Sequence, residues 1–330
     1  MREYKYMVCT RCMTYNHASY IEDALKGFCL QETSFPVVYI VVDDASKDGE
    51  PDVLRKWASE NLVCNKDLLW KKTLYGEIAE APLIGNSLVS FVILLLSENH
   101  YQTGRGQQRL DYIKEWMNNS RYIALCEGDD YWIDSMKLQK QCDFLNSHLD
   151  YSLCFHNTKL LYEIDKGSFP IGVKCDGQVS ADDVFLRWTV PTASIVYRNG
   201  ADQLKTQGDH RILHGDIIFI LKCAESGKLW GMKDEMAVYR LHSDSAIHNK
   251  KNVERNRERV PEHTKFILDN FHCVSRSVVR KKLGMNYYEC FCHTSHFSLK
   301  SIKYLFCSLY YNPHYFFKNF AKSRWNLFKR

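Results

Sequence analysis

Residues 127–130, Glu-Gly-Asp-Asp, put three carboxylates within four positions, directly after the apolar run Tyr122 to Cys126. A short apolar run bounded by turn residues suits a strand buried on both faces. Carboxylates that close repel one another, and a cation among them removes that cost. Oxygen-only ligands point to Mg2+ or Mn2+, ions that keep positions open for phosphate oxygens. A solvated acidic turn would explain one such cluster. A second one, Asp43-Asp44, closes another apolar run, Val37 to Val42. A carboxylate at the end of a central strand can accept a hydrogen bond from a uracil imide or a ribose hydroxyl, and this is the role expected of Asp43. Thymine presents the same imide. Ser46 to Gly49 supplies turn chemistry, to which Lys47 and Asp48 belong.

Other polar clusters carry weaker signals. Thr14-Tyr15-Asn16-His17 follows the first strand-like run and precedes a helix, a place suited to a base and ribose, although a turn and helix start would have the same composition. Asp216, in His214-Gly215-Asp216-Ile217-Ile218-Phe219, opens an apolar helix. An acidic residue there is by default a cap contributing about 1 kcal/mol. His242, in Tyr239-Arg240-Leu241-His242-Ser243, would ordinarily be structural. Tyr131 and Trp132 suit either the apolar wall of a ligand site or the core, and Trp188 to Ser194 suits another side of such a site. Arg105 and Arg109 could reach an anionic ligand but fit a solvated helix face better.

The elements that must position these residues alternate in the first half of the chain. Strands are expected at Tyr6–Met13, Val37–Val42, Phe91–Leu96 and Tyr122–Cys126. Helices are expected at Ser19–Gln31, after Pro51, at Gln107–Met117, and after a cap at Asp134 or Ser135. This rhythm predicts an α/β architecture with a mostly parallel central sheet flanked by helices, and ligands beyond the carboxyl ends of the strands. Further strands are expected at Tyr151–Leu160, Ala193–Arg198 and Leu229–Leu241, and a helix at Asp216–Ser226. Leu83 to Leu96 reads as a loop feeding a buried strand, and residues 70–90 as an added loop or surface excursion. From Asn252 the composition turns basic and aromatic with helical spacing, which divides the chain into residues 1–250 and a helical extension, 251–330.

The chain has 330 residues, 45% of them hydrophobic, with 44 Lys and Arg against 39 Asp and Glu. It can bury a large core, and its aromatic fraction and moderate charge are not those expected of a disordered chain. The net charge of +5 permits anionic partners without calling for nucleic acid. Thirteen cysteines include one CxxC, Cys9 and Cys12, with no second ligand pair at zinc spacing, as expected of buried thiols in a reducing cytoplasm. The start, Met1 to Lys5, lacks a signal-peptide apolar region, and no run reaches the roughly 20 apolar residues of a spanning helix.

The order of the pieces is more specific than any one of them: Thr-Tyr-Asn-His, then Val-Asp-Asp-Ala-Ser-Lys-Asp-Gly, then Ala-Leu-Cys-Glu-Gly-Asp-Asp-Tyr-Trp. Over residues 5–245 the chain resembles family 2 glycosyltransferases of the type that builds bacterial capsule, O-antigen and other surface polysaccharides. The resemblance implies a GT-A (nucleotide-diphospho-sugar transferase) fold. It also implies a metal-dependent, inverting transfer from a nucleotide-sugar donor, by default a UDP-sugar, to a hydroxyl of a glycan or lipid-linked acceptor. It places Thr14, Tyr15, Asn16, Asp43, Asp44 and Asp129 at the nucleotide-sugar, and Asp129, Asp130 and His242 at Mn2+ or Mg2+. Because the acidic element begins with Glu127 rather than Asp, the pair of carboxylates at the ion stays open, with Asp129 and Asp130 preferred. Asp216, ahead of Asp209, is the base expected to take the acceptor proton, and Arg240 a secondary diphosphate contact. The basic-aromatic tail, His293 to Arg330, suits a peripheral contact with the inner face of a cell membrane, in an otherwise cytoplasmic protein. A nucleotidyltransferase would show a Gly-rich loop after the first strand, and Arg11 to Ala18 has no glycine. A phospho-receiver would be shorter, with its acidic pair after the first strand. A non-catalytic sugar-nucleotide binder would not need Asp216.

Overall fold

The computed structural model describes residues 3–63, 70–163, 167–202, 209–242, 256–294 and 298–319. Ser243 and parts of the basic-aromatic tail, residues 295–297 and 320–330, lie outside the described residues. Two compact units result: residues 1–179, 189–201 and 227–242 form the first, and residues 180–188, 202–226 and 243–330 the second.

The first unit is built on one twelve-stranded sheet. Its centre is four parallel strands in the order β6 (Ser120–Leu125), β1 (Tyr6–Thr14), β2 (Val37–Asp43) and β5 (Asn86–Leu96). Every residue of β2 is buried, as expected of a β-branched strand covered on both faces. Helix α1 (Ile21–Cys29) turns Ile21, Ala24, Leu25 and Phe28 to the core, and α2 (Glu50–Asn61) carries proline in its first turn. Helix α3 (Gly106–Asn118) leads into β6, and α4 (Lys137–Ser147) follows β7 (Tyr131–Trp132). The Asp134 carboxylate accepts from the Met136 amide at 2.7 Å just ahead of α4.

Outside this centre most pairings are antiparallel. Residues 70–83 are not a loop but a hairpin, β3 (Trp70–Thr73) and β4 (Gly76–Leu83), that extends the sheet along β5. Strand β5 itself begins at Asn86, so the small and polar residues before Phe91 lie in the strand. Only Val89 of residues 86–90 is buried, so this first half of the strand is largely exposed and lacks the apolar signal of the run after it. On the other edge, β8 (Tyr151–Tyr162) pairs with β9 (Ser168–Ile171), and β10 (Gly177–Val179) with a later strand, β12 (Lys228–Leu241). The short β11 (Val196–Arg198) bridges β6 and β8, and β12 runs parallel to β8 while holding β7.

Trp132 belongs to the core. Its indole N–H donates to the Ala193 carbonyl at 2.9 Å, and its ring packs against Phe28 and Tyr39. Gly27 lets α1 approach this tryptophan, since a Cβ there would lie 2.8 Å from the Trp132 backbone. The buried Lys137 ammonium sits 4.2 Å from the same ring centre and donates to Gln141 at 2.8 Å. Cys9 and Cys12 are buried free thiols, and burial pushes the Cys9 thiol up to about 12.

The second unit contains α5 (Ala181–Leu186), α6 (Gly215–Ser226), α7 (Val260–Asn270), α8 (Arg276–Cys292) and α9 (Leu299–Tyr311) around a core that includes Leu221, Phe266, Phe271 and Leu283. Helix α9 approaches α8 closely at Gly284, whose carbonyl accepts from the Ser308 hydroxyl at 2.9 Å. The inward face of α9 is Ser301, Tyr304 and Ser308, whereas Leu299, Ile302, Phe306 and Tyr310 are exposed. No described helix is long and apolar enough to cross a membrane.

Candidate functional site

The carboxyl ends of β6, β1 and β2 lie side by side, with Thr14 opposite Asp43 and Arg11 opposite Leu125 in register. The two acidic turns and the Thr14–His17 turn therefore meet at one end of the sheet. Strand order reverses at β1, the position where open α/β sheets form a crevice.

Asp129 is the centre of the acidic cluster. Its Oδ2 lies 3.2 Å from Nε2 of His242 and 3.8 Å from Nε2 of His17. Its Oδ1 is buried without a hydrogen-bond partner, as is Oδ2 of Asp130. The other Asp130 oxygen accepts from the Arg240 amide at 2.9 Å. Burial, then the charges of Asp129 and Glu127, push the Asp130 carboxyl well above its ordinary value. Two groups of ligand-type atoms have the proximity an ion requires, His17 with Asp129 and His242, and Glu127 with Asp129 and Asp130. Asp129 belongs to both. Orphaned buried carboxylate oxygens are costly unless a cation completes them, so the donor set fits a divalent ion.

The neighbouring turns are laced together. Glu50, at the start of α2 and fully buried, accepts from the Thr14 hydroxyl, from the His17 amide at 2.9 Å and from the Ser46 hydroxyl at 2.9 Å. Burial raises the Glu50 carboxyl, and these hydrogen bonds pull against it. The Asn16 amide donates to Ser46, the Lys47 amide donates to the Asn16 side chain, and Ala18 donates to Asp48, each at 2.8 Å. Asn16 and Ala45 both have positive φ, 56° and 63°. For alanine that conformation costs on the order of 1 kcal/mol and persists only where the surroundings enforce it. Gly128 admits no side chain, because a Cβ would lie 2.1 Å from the Thr14 hydroxyl oxygen.

A cavity of about 530 Å3 opens beside Asp43, lined also by Ser46, Lys47, Arg55, Lys72 and Glu77. Asp43 accepts from the Ser46 amide at 3.2 Å through one oxygen, and its other oxygen has no partner. Burial pushes its carboxyl up to about 6. Lys72 and Glu77 belong to the hairpin β3–β4, so the segment between 70 and 83 walls this cavity.

Several residues take other places. Asp44 is buried and accepts from the His100 amide at 2.8 Å, the Tyr101 amide at 3.0 Å and Arg109 at 3.1 Å. Arg105 pairs with Glu98. Arg240 is 7% exposed and stacked between Tyr20 and Tyr131, with Asp23 at 3.0 Å and Glu163 at 3.3 Å. Its charge is committed within the fold. Tyr15 lies beside Gln102, whose amide reaches the phenol oxygen at 3.5 Å.

Asp216 lies in the second unit, exposed in the first turn of α6, and lines a cavity of about 270 Å3 with Trp188, His214, His263 and Lys282. Asp209 is paired with Arg211 at 2.7 Å, which lowers its carboxyl to about 2.

His17 and Glu50 complete the first-unit site and were not among the residues singled out for it from sequence. His17 stood in the Thr-Tyr-Asn-His turn as part of a base-and-ribose cluster, whereas its ring faces Asp129. Glu50 lies in the first turn of α2, and nothing local in the sequence shows that it faces Thr14.

The fold is shared with solved structures. S. aureus TarS residues 1–349 matches with a TM-score of 0.57 at 16% identity, over 94% of this chain and 82% of that one. The same fragment in complex with UDP gives 0.55 at 14%, over 87% and 72%. The mannosyltransferase PcManGT from Pyrobaculum calidifontis, in complex with GDP-Man and Mn2+, gives 0.51 at 13%, over 97% and 80%. The chain has a GT-A glycosyltransferase fold. No family model matches it. Uncharacterized proteins of Mycobacterium tuberculosis and Mycobacterium bovis are 30% identical over 240 residues, 72% of this chain. The chain spans 59% of the length of these curated relatives.

Proposed function

We propose that the protein is a metal-dependent, inverting glycosyltransferase of family 2 type that moves a sugar from a nucleotide diphosphate, by default UDP, to a hydroxyl of a surface-polysaccharide acceptor. The observation that carries this reading is the unpartnered, buried Asp43 oxygen beside a cavity, one strand away from the turn that feeds the Asp129 cluster, at the switch point of a GT-A sheet. A neighbour binding UDP and another binding GDP-Man with Mn2+ support a nucleotide-sugar donor.

In this reading Asp43 accepts the imide N–H of the base, and Tyr15 flanks the base or ribose. Asp44 holds the 100–101 backbone and Arg109 in place rather than touching the nucleotide, and Thr14 and Asn16 fix the turns. When bound at Asp129, a divalent ion supplies Lewis-acid stabilisation of the departing diphosphate. Asp216 takes the proton of the acceptor hydroxyl as its oxygen bonds to the anomeric carbon. The sugar–phosphate bond breaks with its electron pair on the diphosphate, and the configuration inverts.

A lipid-linked acceptor is favoured by helix α9, which turns serines inward and Leu299, Ile302, Phe306 and Tyr310 outward, beside the exposed Lys303. Apolar side chains on an outer face flanked by lysine suit an anionic membrane surface. The deciding experiment is a thermal-shift screen of nucleotide sugars with and without Mn2+. One donor should raise the melting temperature, and more so with the ion. If no nucleotide sugar shifts it under either condition, the reading fails.

A further inference from the structure

The orientation of His17 is fixed by atoms behind it. The Thr14 hydroxyl has one proton, and it donates that proton to Glu50. Toward Nδ1 of His17, 3.2 Å away, the same oxygen can therefore only accept. Nδ1 carries the ring proton, and in the neutral ring Nε2 carries a lone pair. That lone pair faces Oδ2 of Asp129 at 3.8 Å, where two electron-rich atoms are opposed unless a cation lies between them. His242 brings a second Nε2 to 3.2 Å from the same oxygen. Neighbouring ligands of a small divalent ion sit about 3 Å apart, so the spacing needs little adjustment. Gly128 keeps the path between Thr14 and His17 clear of a side chain. A buried carboxylate that orients a histidine ligand through an intervening group is the usual outer layer of a metal site.

Asp130 is placed differently. One of its oxygens is taken by the Arg240 amide, the other is buried without a partner, and the residue is only 1% exposed, so it lies beneath the atoms that His17, His242 and Asp129 bring together.

We propose that the ion is held by two imidazoles and one carboxylate, His17, His242 and Asp129, rather than by Asp129 with Asp130, and that the site consequently selects Mn2+ or Co2+ over Mg2+. This rests on the metal-dependent reading above. Imidazole nitrogen favours transition ions, whereas a site of carboxylates alone would accept Mg2+ readily.

The test is metal binding to the full chain, read by calorimetry and by pulsed EPR of bound Mn2+, which counts coordinated imidazoles. Wild type should show two imidazoles, and His17→Gln and His242→Gln one each. Mn2+ affinity should fall about 10- to 100-fold in His17→Gln, and about 10-fold in Thr14→Val, which keeps the shape of the side chain but loses the relay. Circular dichroism confirms that each variant is folded, and Thr14→Val serves should His17→Gln not fold. Equal Mn2+ and Mg2+ affinities in wild type, or an EPR signal with one imidazole that persists in His17→Gln, would overturn the assignment. UDP titrated into the same samples separates the two claims. UDP binding without two coordinated imidazoles sinks the ligand set and leaves the transferase reading standing. Failure of both UDP and metal to bind sinks both.

Discussion

Asp43→Asn should make the protein more stable and nearly abolish nucleotide binding. Burial raises the Asp43 carboxyl from 3.8 to about 6, and at 1.36 kcal/mol per pH unit this corresponds to about 3 kcal/mol. Below pH 3.8 the group is neutral in the folded and unfolded chain alike. As pH rises from 3.8 to 6 the unfolded chain ionises first, so the folded state loses stability. Above pH 6 that loss is complete and constant. Asparagine never ionises, and its carbonyl oxygen can still accept from the Ser46 amide, now 3.2 Å from the carboxylate. The variant should therefore exceed wild type by about 1.5 kcal/mol at pH 5 and about 3 kcal/mol at pH 8. Urea unfolding across that range measures the difference directly. Binding should move the other way: the amide N–H of asparagine would face the imide N–H of the base, donor against donor. A lost charge-assisted hydrogen bond and an unpaired donor together predict at least a 100-fold loss of UDP affinity. Wild-type affinity should itself decline below pH 6 as the carboxyl takes up a proton. An Asp43→Asn variant less stable than wild type at pH 8, or one that binds UDP normally, would refute the assignment of this carboxylate to the base.

Four other outcomes are expected. Gly128→Ala should cost about 1–3 kcal/mol in urea unfolding and lower Mn2+ affinity, because its Cβ would lie 2.1 Å from the Thr14 hydroxyl oxygen. Burial lowers the Lys137 ammonium from 10.5 to about 7, so it costs the fold stability progressively as pH falls from 10.5 to 7. Lys137→Met should be more stable by about 2–4 kcal/mol at pH 7 after the loss of the Gln141 hydrogen bond, with the gap closing toward pH 10.5 in denaturant titrations. Asp216→Asn should bind UDP and Mn2+ as wild type does and lose at least 100-fold in kcat with the identified donor, and equal turnover would remove it as the base. Phe306→Asp should reduce co-sedimentation with anionic vesicles about tenfold or more, and unchanged sedimentation would dismiss the α9 face as a membrane contact.

What was legible in the sequence follows from the range of the forces involved. Strands β2 and β6 are apolar runs closed by acidic turns, and their burial on both faces is a local signal, so they and their acidic ends could be placed to within a residue or two. The hairpin at residues 70–83 could not. Its strands are mostly half-buried or exposed, with only Ala79 and Ala81 buried, and only their pairing with each other and of β4 with β5 makes them strands. Trp132 was balanced between core and sugar wall because aromatic residues serve both, and the Ala193 carbonyl that decides it lies 61 residues away in the chain. For the same reason His17 and Asp129 could each be noticed but not joined, since their encounter depends on β1 and β6 being neighbours in the sheet.

Glu50 shows why the two halves of the site should be regarded as one device. A fully buried carboxylate is expensive, and it survives here because donors from two different turns converge on it. One of those turns orients His17 toward Asp129, and the other carries Ser46, whose amide donates to Asp43. The group that fixes the imidazole facing Asp129 is thus the same group that steadies the turn donating to Asp43. Movement of either turn would leave Glu50 short of a partner, at a cost of about 1–3 kcal/mol for each lost donor. The strained Ala45, held at φ 63° between Asp43 and Ser46, is tolerated within this clamp. Under the proposed function, rigid coupling of the turns would hold a base and a metal-bound diphosphate at a fixed separation before any donor arrives, so that binding energy would not be spent on ordering the loops.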